Sequence, residues 1–153
     1  MKKLGLAIAI AVAIAIPTAA AAHAYSVPGL KISPPVGAFG SVAVGSCNLT
    51  TYAGCELKTF TIQNVGSSTI LIGGFGIATL DPLTAATVPG RPGSGCEFLP
   101  LSGSVWALAP GASCEITTAL APLQKGVVRN ELHIWSGDQS SPIAVIPLLG
   151  VGT

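Results

Sequence analysis

The sequence predicts an all-β sandwich of about seven to eight antiparallel strands, stapled by disulfides and preceded by an export leader. Three observations carry this. Short runs such as LKTFTIQN (residues 57–64) alternate apolar and polar residues with period two, as half-buried strands require. Turn-forming Gly, Pro, Asn and Ser clusters punctuate the chain roughly every 8–12 residues. Four cysteines, Cys47, Cys55, Cys96 and Cys114, all lie downstream of an apolar leader, and an even count in that context reads as disulfides.

The leader comes first. The chain opens MKKLGLAIAIAVAIAIPTAAAAHAYS, with a charged start at Lys2 and Lys3 and an unbroken apolar run over residues 4–16. The small-residue site Ala22-His23-Ala24 lies just beyond. These are the parts of a secretory signal peptide over residues 1–24, with cleavage expected between Ala24 and Tyr25. A retained membrane anchor is the alternative, but the run over 4–16 is too short to span, and Pro17 separates it from the alanines of residues 19–22. The remaining 129 residues, 25–153, fit one domain, placed outside the cytoplasm as a secreted, periplasmic or envelope protein.

Val27-Pro28-Gly29 is a turn, and residues 30–33 form a short strand stopped by Pro34-Pro35. Residues 36–44 (VGAFGSVAV) are extended with Phe39 inward, and residues 45–56 are an excursion holding Cys47 and Cys55. In 57–64, Phe60 and Ile62 share one face while Thr59, Thr61 and Gln63 share the other. The segment from Asn64 to Ser68 is turn chemistry. Residues 69–77 (TILIGGFGI) are a strand in which Gly73-Gly74 signals a bulge or a close backbone approach. Residues 79–95 hold Pro82, Pro89 and Pro92 and predict a long surface loop. Further strands are expected over 104–108, 114–121, 127–135 and 143–149.

Composition limits function. Charged residues make up 8% of the chain against about 25% in a typical soluble domain. After leader removal, Lys31, Lys58, Arg91, Lys125 and Arg129 face Glu56, Asp81, Glu97, Glu115, Glu131 and Asp138, a net charge of −1. No basic surplus exists to neutralise phosphates, so nucleic acid is a poor partner. A weakly charged surface tolerates close contact, either with another protein or with itself. It is equally the surface of a secreted β-domain solvated by hydroxyls. Three cysteine pairings are possible, of which Cys47–Cys55 and Cys96–Cys114 each staple a local excursion. The spacings are not those of a metal site, and His133 is the one histidine after the leader, so no metal or other cofactor is expected.

Catalytic machinery is thinly supplied. No G-x-S-x-G occurs, and Gly111-Ala112-Ser113-Cys114-Glu115 lacks the final glycine. The loop Gly90-Arg91-Pro92-Gly93-Ser94-Gly95 lacks the Lys-Ser/Thr of a phosphate cradle. The expectation is a chain that is not an enzyme. Parity within residues 127–135 offers a contact patch instead. Val128, Leu132 and Ile134 share one face, with Asn130 the polar exception there, so Arg129, Glu131, His133 and Trp135 share the other. An outward Trp beside charged residues marks a candidate protein contact, unless the Cys47–Cys55 excursion or the long loop covers it. Trp106 shares a face with Leu108 and reads as core. A second reading is a carbohydrate-binding module with Trp135, Tyr52 and Phe98 as stacking faces.

The order of short landmarks resembles the bacterial secreted ASH-type domains, also found in choice-of-anchor D proteins. The matching pieces are Leu30-Lys31-Ile32-Ser33-Pro34, then Phe39-Gly40-Ser41-Val42, then Phe60-Thr61-Ile62-Gln63-Asn64-Val65-Gly66. Later come Leu108-Ala109-Pro110-Gly111-Ala112-Ser113-Cys114, Leu120-Ala121-Pro122, Leu132-His133-Ile134 and Leu149-Gly150-Val151-Gly152. The resemblance implies an immunoglobulin-like sandwich that binds protein or builds structure, with strand addition at an open edge as one mode. It implies no catalytic residues. It also supports Cys96–Cys114, since many members pair a cysteine before the LAPG-like turn with the one after it. The extra pair Cys47 and Cys55, and a single domain where tandem copies are common, depart from the family.

Overall fold

A computed structural model describes residues 24–48, 50–80, 85–92, 97–99 and 105–153, with backbone alone for 85–92 and 97–99. The expected leader and Cys96 lie outside these residues. The described chain is all strand and turn: β1 (Tyr25–Ser26), β2 (Leu30–Ser33), β3 (Gly37–Val42), β4 (Glu56–Asn64), β5 (Ile70–Thr79), β6 (Ala85–Pro92), β7 (Glu97–Leu99), β8 (Val105–Leu108), β9 (Ser113–Pro122), β10 (Gly126–Ser136) and β11 (Pro142–Gly152).

Two sheets form an immunoglobulin-like sandwich. The larger runs β1-β11-β10-β5-β8-β7, with β3 also on β11, and the smaller runs β2-β4-β9-β6. The first strands divide between the layers. β2 pairs antiparallel with β4; the chain then bends at the cis Ser33–Pro34 bond, and β3 joins the other sheet. That β3–β11 pairing is parallel, the one departure from the expected antiparallel pattern among the described strands.

The eight expected strands are all present, joined by β1, β6 and β7. The surface loop expected over 79–95 is corrected in part: residues 85–92 are strand, paired antiparallel with β9. Proline removes a ladder donor but is tolerated at the edge of a sheet, and β6 is an edge, with its register shifting between Pro89 and Pro92. Glycine at 73 has a clear cause. The β5–β10 register shifts between Trp135 and Ser136, and a Cβ at Gly73 would run into the Ser136 carbonyl oxygen. The chain approaches itself there too closely for any side chain.

The core lies between the sheets. Phe60 and Ile62 of β4, Ile116 and Leu120 of β9, Val128, Leu132 and Ile134 of β10, and Ile146 and Leu148 of β11 are fully buried. Trp106 packs on this core from β8, with its ring 5.4 Å from that of Phe75. Asn64 is buried among them and fully partnered. Its amide nitrogen donates to the carbonyls of Ser68 and Leu108, both at 2.8 Å, and its side-chain oxygen accepts from the Gly66 N–H at 3.0 Å.

Asn130 is the opposite case. Among the described residues, both heteroatoms of its buried carboxamide lack a partner, as does the buried hydroxyl of Thr118. An unmet buried polar group costs about 1–3 kcal/mol. Asn130→Leu is therefore expected to raise the unfolding free energy by about 1–3 kcal/mol in urea titrations. A loss of stability instead would mean that buried water bridges the carboxamide.

Cys47 and Cys55 are joined, closing the excursion between β3 and β4. Cys114 is also disulfide-bonded, while its expected partner Cys96 lies outside the described residues. Closing so short a loop restricts the unfolded chain by about 2.5 kcal/mol on the chain-entropy model. The Cys47→Ser/Cys55→Ser double variant is expected to lose about that much, read from the shift of its urea midpoint.

Candidate contact face

β10 pairs with β11 on one side and β5 on the other, and directly opposed residues share a face. The inward set is Val128, Asn130, Leu132 and Ile134, all buried. Arg129, Glu131, His133 and Trp135 lie together on the outer face. Arg129 is exposed, and the other three are half-buried.

The half-burial has local causes. His133 Nε2 lies 2.9 Å from Glu131 Oε2, and the imidazole sits 5.6 Å from the Trp135 ring at a tilt of 59°. The indole leans over β5, where a Cβ at Gly76 would come within 3.2 Å of its Nε1. The small residues of β5 thus make room for the ring to lie against the sheet. Beyond Trp135 the turn to β11 is closed by Asp138, whose Oδ1 accepts from the hydroxyls of Ser136 and Ser140 and from the Ser140 N–H. These bonds, the Ser136 hydroxyl foremost, hold its carboxyl down at about 2. A folded value below the unfolded one gives order that is present above the ordinary value near 3.8 and lost as pH falls through 2.

The rest of the face comes from neighbouring strands. Register places Val127 opposite Val151, Arg129 opposite Leu149, Glu131 opposite Pro147, and His133 opposite Val145, which in turn faces Tyr25 of β1. Tyr25, Val127, Leu149 and Val151 are exposed. This aliphatic half was missed by sequence reasoning. Its signal is β11 itself, PIAVIPLLGVG, apolar at both parities where a half-buried strand would alternate.

The outer face of the smaller sheet is different in kind. It presents Lys31 from β2, Thr59, Thr61 and Gln63 from β4, and Ser113, Glu115 and Thr117 from β9, with the Thr59 and Thr117 hydroxyls 2.8 Å apart. Leu57, at the start of β4, is its exposed aliphatic exception.

The three aromatics considered for sugar stacking do not converge. Tyr52 belongs to the excursion between β3 and β4, which adjoins the Gly152 end of β11 through the Val44 N–H to Thr153 carbonyl bond. Trp135 pairs with Pro142 at the other end of that strand, about 30 Å away at ~3.3 Å per residue. The excursion therefore does not cover Trp135. Phe98 lies on β7, separated from β10 by β5 and β8. Among the described residues no serine hydroxyl bonds His133, and no three of His, Cys, Asp and Glu gather as metal ligands. No described helix is long and apolar enough to cross a membrane.

No protein-family model matches the chain, and no curated sequence does. Solved structures resemble it in fold. A chain described as the secreted serine protease VesC from Vibrio cholerae superposes with a TM-score of 0.51 at 18% identity, over 75% of this chain and 21% of that one. The VesB protease of the same organism gives 0.48 at 17% identity, over 81% and 32%. This chain thus spans about a fifth and a third of those two proteins. The ASH/PapD-like domain 7 of human CEP192 gives 0.46 at 12% identity, over 82% and 85%. At these identities the likeness to VesC concerns the fold alone, and the weaker superpositions add no argument.

Proposed function

We propose that this chain is an exported, non-catalytic immunoglobulin-like module whose work is contact with another protein surface, through the outer face of its larger sheet. The observation that carries the reading is the contrast between the two outer faces. One, over its described side chains, is a field of Thr, Ser, Gln, Lys and Glu suited to water, with Leu57 the exception. The other sets Tyr25, Val127, Leu149, Val151 and Trp135 around a single Arg–Glu–His cluster. Exposed apolar side chains gathered on one face mark interaction sites. The leader pattern supports export, as does a covalently closed Cys47–Cys55 excursion, since such bonds persist in oxidising compartments.

A photo-crosslinking residue placed at Leu149 and, separately, at Thr117 tests this in the producing cell. The expected result is a discrete crosslinked product from position 149 and none from 117. Equal yields from both positions would remove the distinction on which the reading rests.

A further inference from the structure

We infer that the surface this face takes is a second copy of the same chain, packed sheet on sheet about a two-fold axis. The inference rests on the contact face proposed above and specifies its occupant. Two observations support it. The first is charge pattern. Arg129 and Glu131 lie two residues apart on the outer side of β10. Arg129 is exposed and makes no ion pair among the described residues, and Glu131 uses one carboxylate oxygen on His133. A two-fold axis in the interface plane, perpendicular to β10 at residue 130, sets residue 129 of each copy over residue 131 of the other. Both guanidinium groups then meet the carboxylates opposite, twice over.

The same axis, applied to the β10–β11 register, sets exposed Leu149 over the mate's Pro147, which is itself buried, Val151 over its half-buried Val145, and on β10 Val127 over its His133. On β11, apolar positions thus meet apolar positions. The self-complementary Arg129–Glu131 pair at the axis is what an isologous interface requires.

The second observation is area. Under this axis β10, β11 and the β1–β3 edge overlie their mates, whereas β5 ends at Thr79, opposite Asn130, and does not. Three strands at ~4.8 Å spacing and about nine residues at ~3.3 Å rise give roughly 430 Å² of flat face per copy. The roughly 860 Å² buried by the pair is the size of a weak, reversible interface, below ~1,200 Å². Aligned sheets of this kind pack with their strands within about 30° of each other, as in a sandwich core.

The test is sedimentation velocity on the exported chain over a concentration series, with circular dichroism confirming the fold of each variant. The wild type is expected to shift from monomer to dimer as its concentration rises to 200 µM. Arg129→Glu sets like charges opposite each other twice and is expected to weaken association at least tenfold. The double variant Arg129→Glu/Glu131→Arg is expected to recover it, while Thr117→Glu on the other face changes nothing. A wild-type monomer at 200 µM would overturn the inference, and so would a dimer indifferent to Arg129→Glu. The position-149 crosslink separates the two readings. A monomer whose position 149 captures a different protein sinks the second copy and keeps the contact face. A monomer with no product from 149 sinks both.

Discussion

Asn64→Ala is expected to cost about 3–5 kcal/mol, a large share of the 5–15 kcal/mol that holds a typical domain folded. The carboxamide ties the β4–β5 turn to the end of β8. It donates to the Ser68 carbonyl in the β4–β5 turn and to the Leu108 carbonyl at the end of β8, and it accepts from the Gly66 N–H. Its own backbone completes the knot. The Asn64 N–H donates to the Ala112 carbonyl at 2.9 Å, and its carbonyl accepts from the Gly111 N–H at 2.8 Å. Alanine keeps the backbone bonds and strands the three side-chain partners. Each stranded group costs about 1–3 kcal/mol where water cannot reach it. The bond to Leu108 is buried and the other two are partly so, which keeps the sum in the lower part of the roughly 3–9 kcal/mol that three such groups span. Urea unfolding measures it. Asn64→Asp is the informative companion, since it keeps the acceptor for Gly66 and loses both donations. It should be nearly as damaging. A loss below 1 kcal/mol for either variant would mean that the carbonyls find other donors.

Asn64 shows where a sequence stops being readable. Its turn setting is visible in Asn64-Val65-Gly66, but its Leu108 partner lies 44 residues away, and no local pattern announces a bond across that span. Strand identity fared better, because alternation in β4 and β10 is a local consequence of one buried face, and the parity assigned to Val128, Leu132 and Ile134 is the parity of the folded sheet. β6 was hidden for the reverse reason. Pro89 and Pro92 look like breakers in isolation, and their tolerance depends on β6 lying at an edge, a fact of topology. The proposed contact face is half visible. Arg129, Glu131, His133 and Trp135 follow from parity along one strand. Leu149 and Val151 come from β11, where apolar residues occupy both parities and periodicity gives no inside or outside. Only the register with β10 shows that they extend the same surface.

Phe60→Ala is expected to lose about 3–5 kcal/mol, as other buried Phe truncations do, and its neighbour Gly37 shows how the sheets share the space. Phe60 is fully buried on the inner side of β4. Across the sandwich, a Cβ on Gly37 of β3 would sit 2.8 Å from the ring's Cζ and 2.7 Å from Cδ2 of Leu148. The missing side chain at 37 is thus the room that the phenyl ring occupies. Gly37→Ala alone should cost about 1–3 kcal/mol, the usual range for overpacking. In a Phe60→Leu background the ring's far atoms are gone, and Leu148 can turn into the space they leave. Gly37→Ala should then cost at least 1 kcal/mol less than in the wild type. Contacting residues typically couple by 0.5–3 kcal/mol in such cycles, and the backbone-entropy effect of Gly→Ala cancels between the two backgrounds. Strictly additive losses would mean that β3 moves aside freely. β3 would then be a loosely held edge, and the outer face it extends beside Leu149 would give way with it.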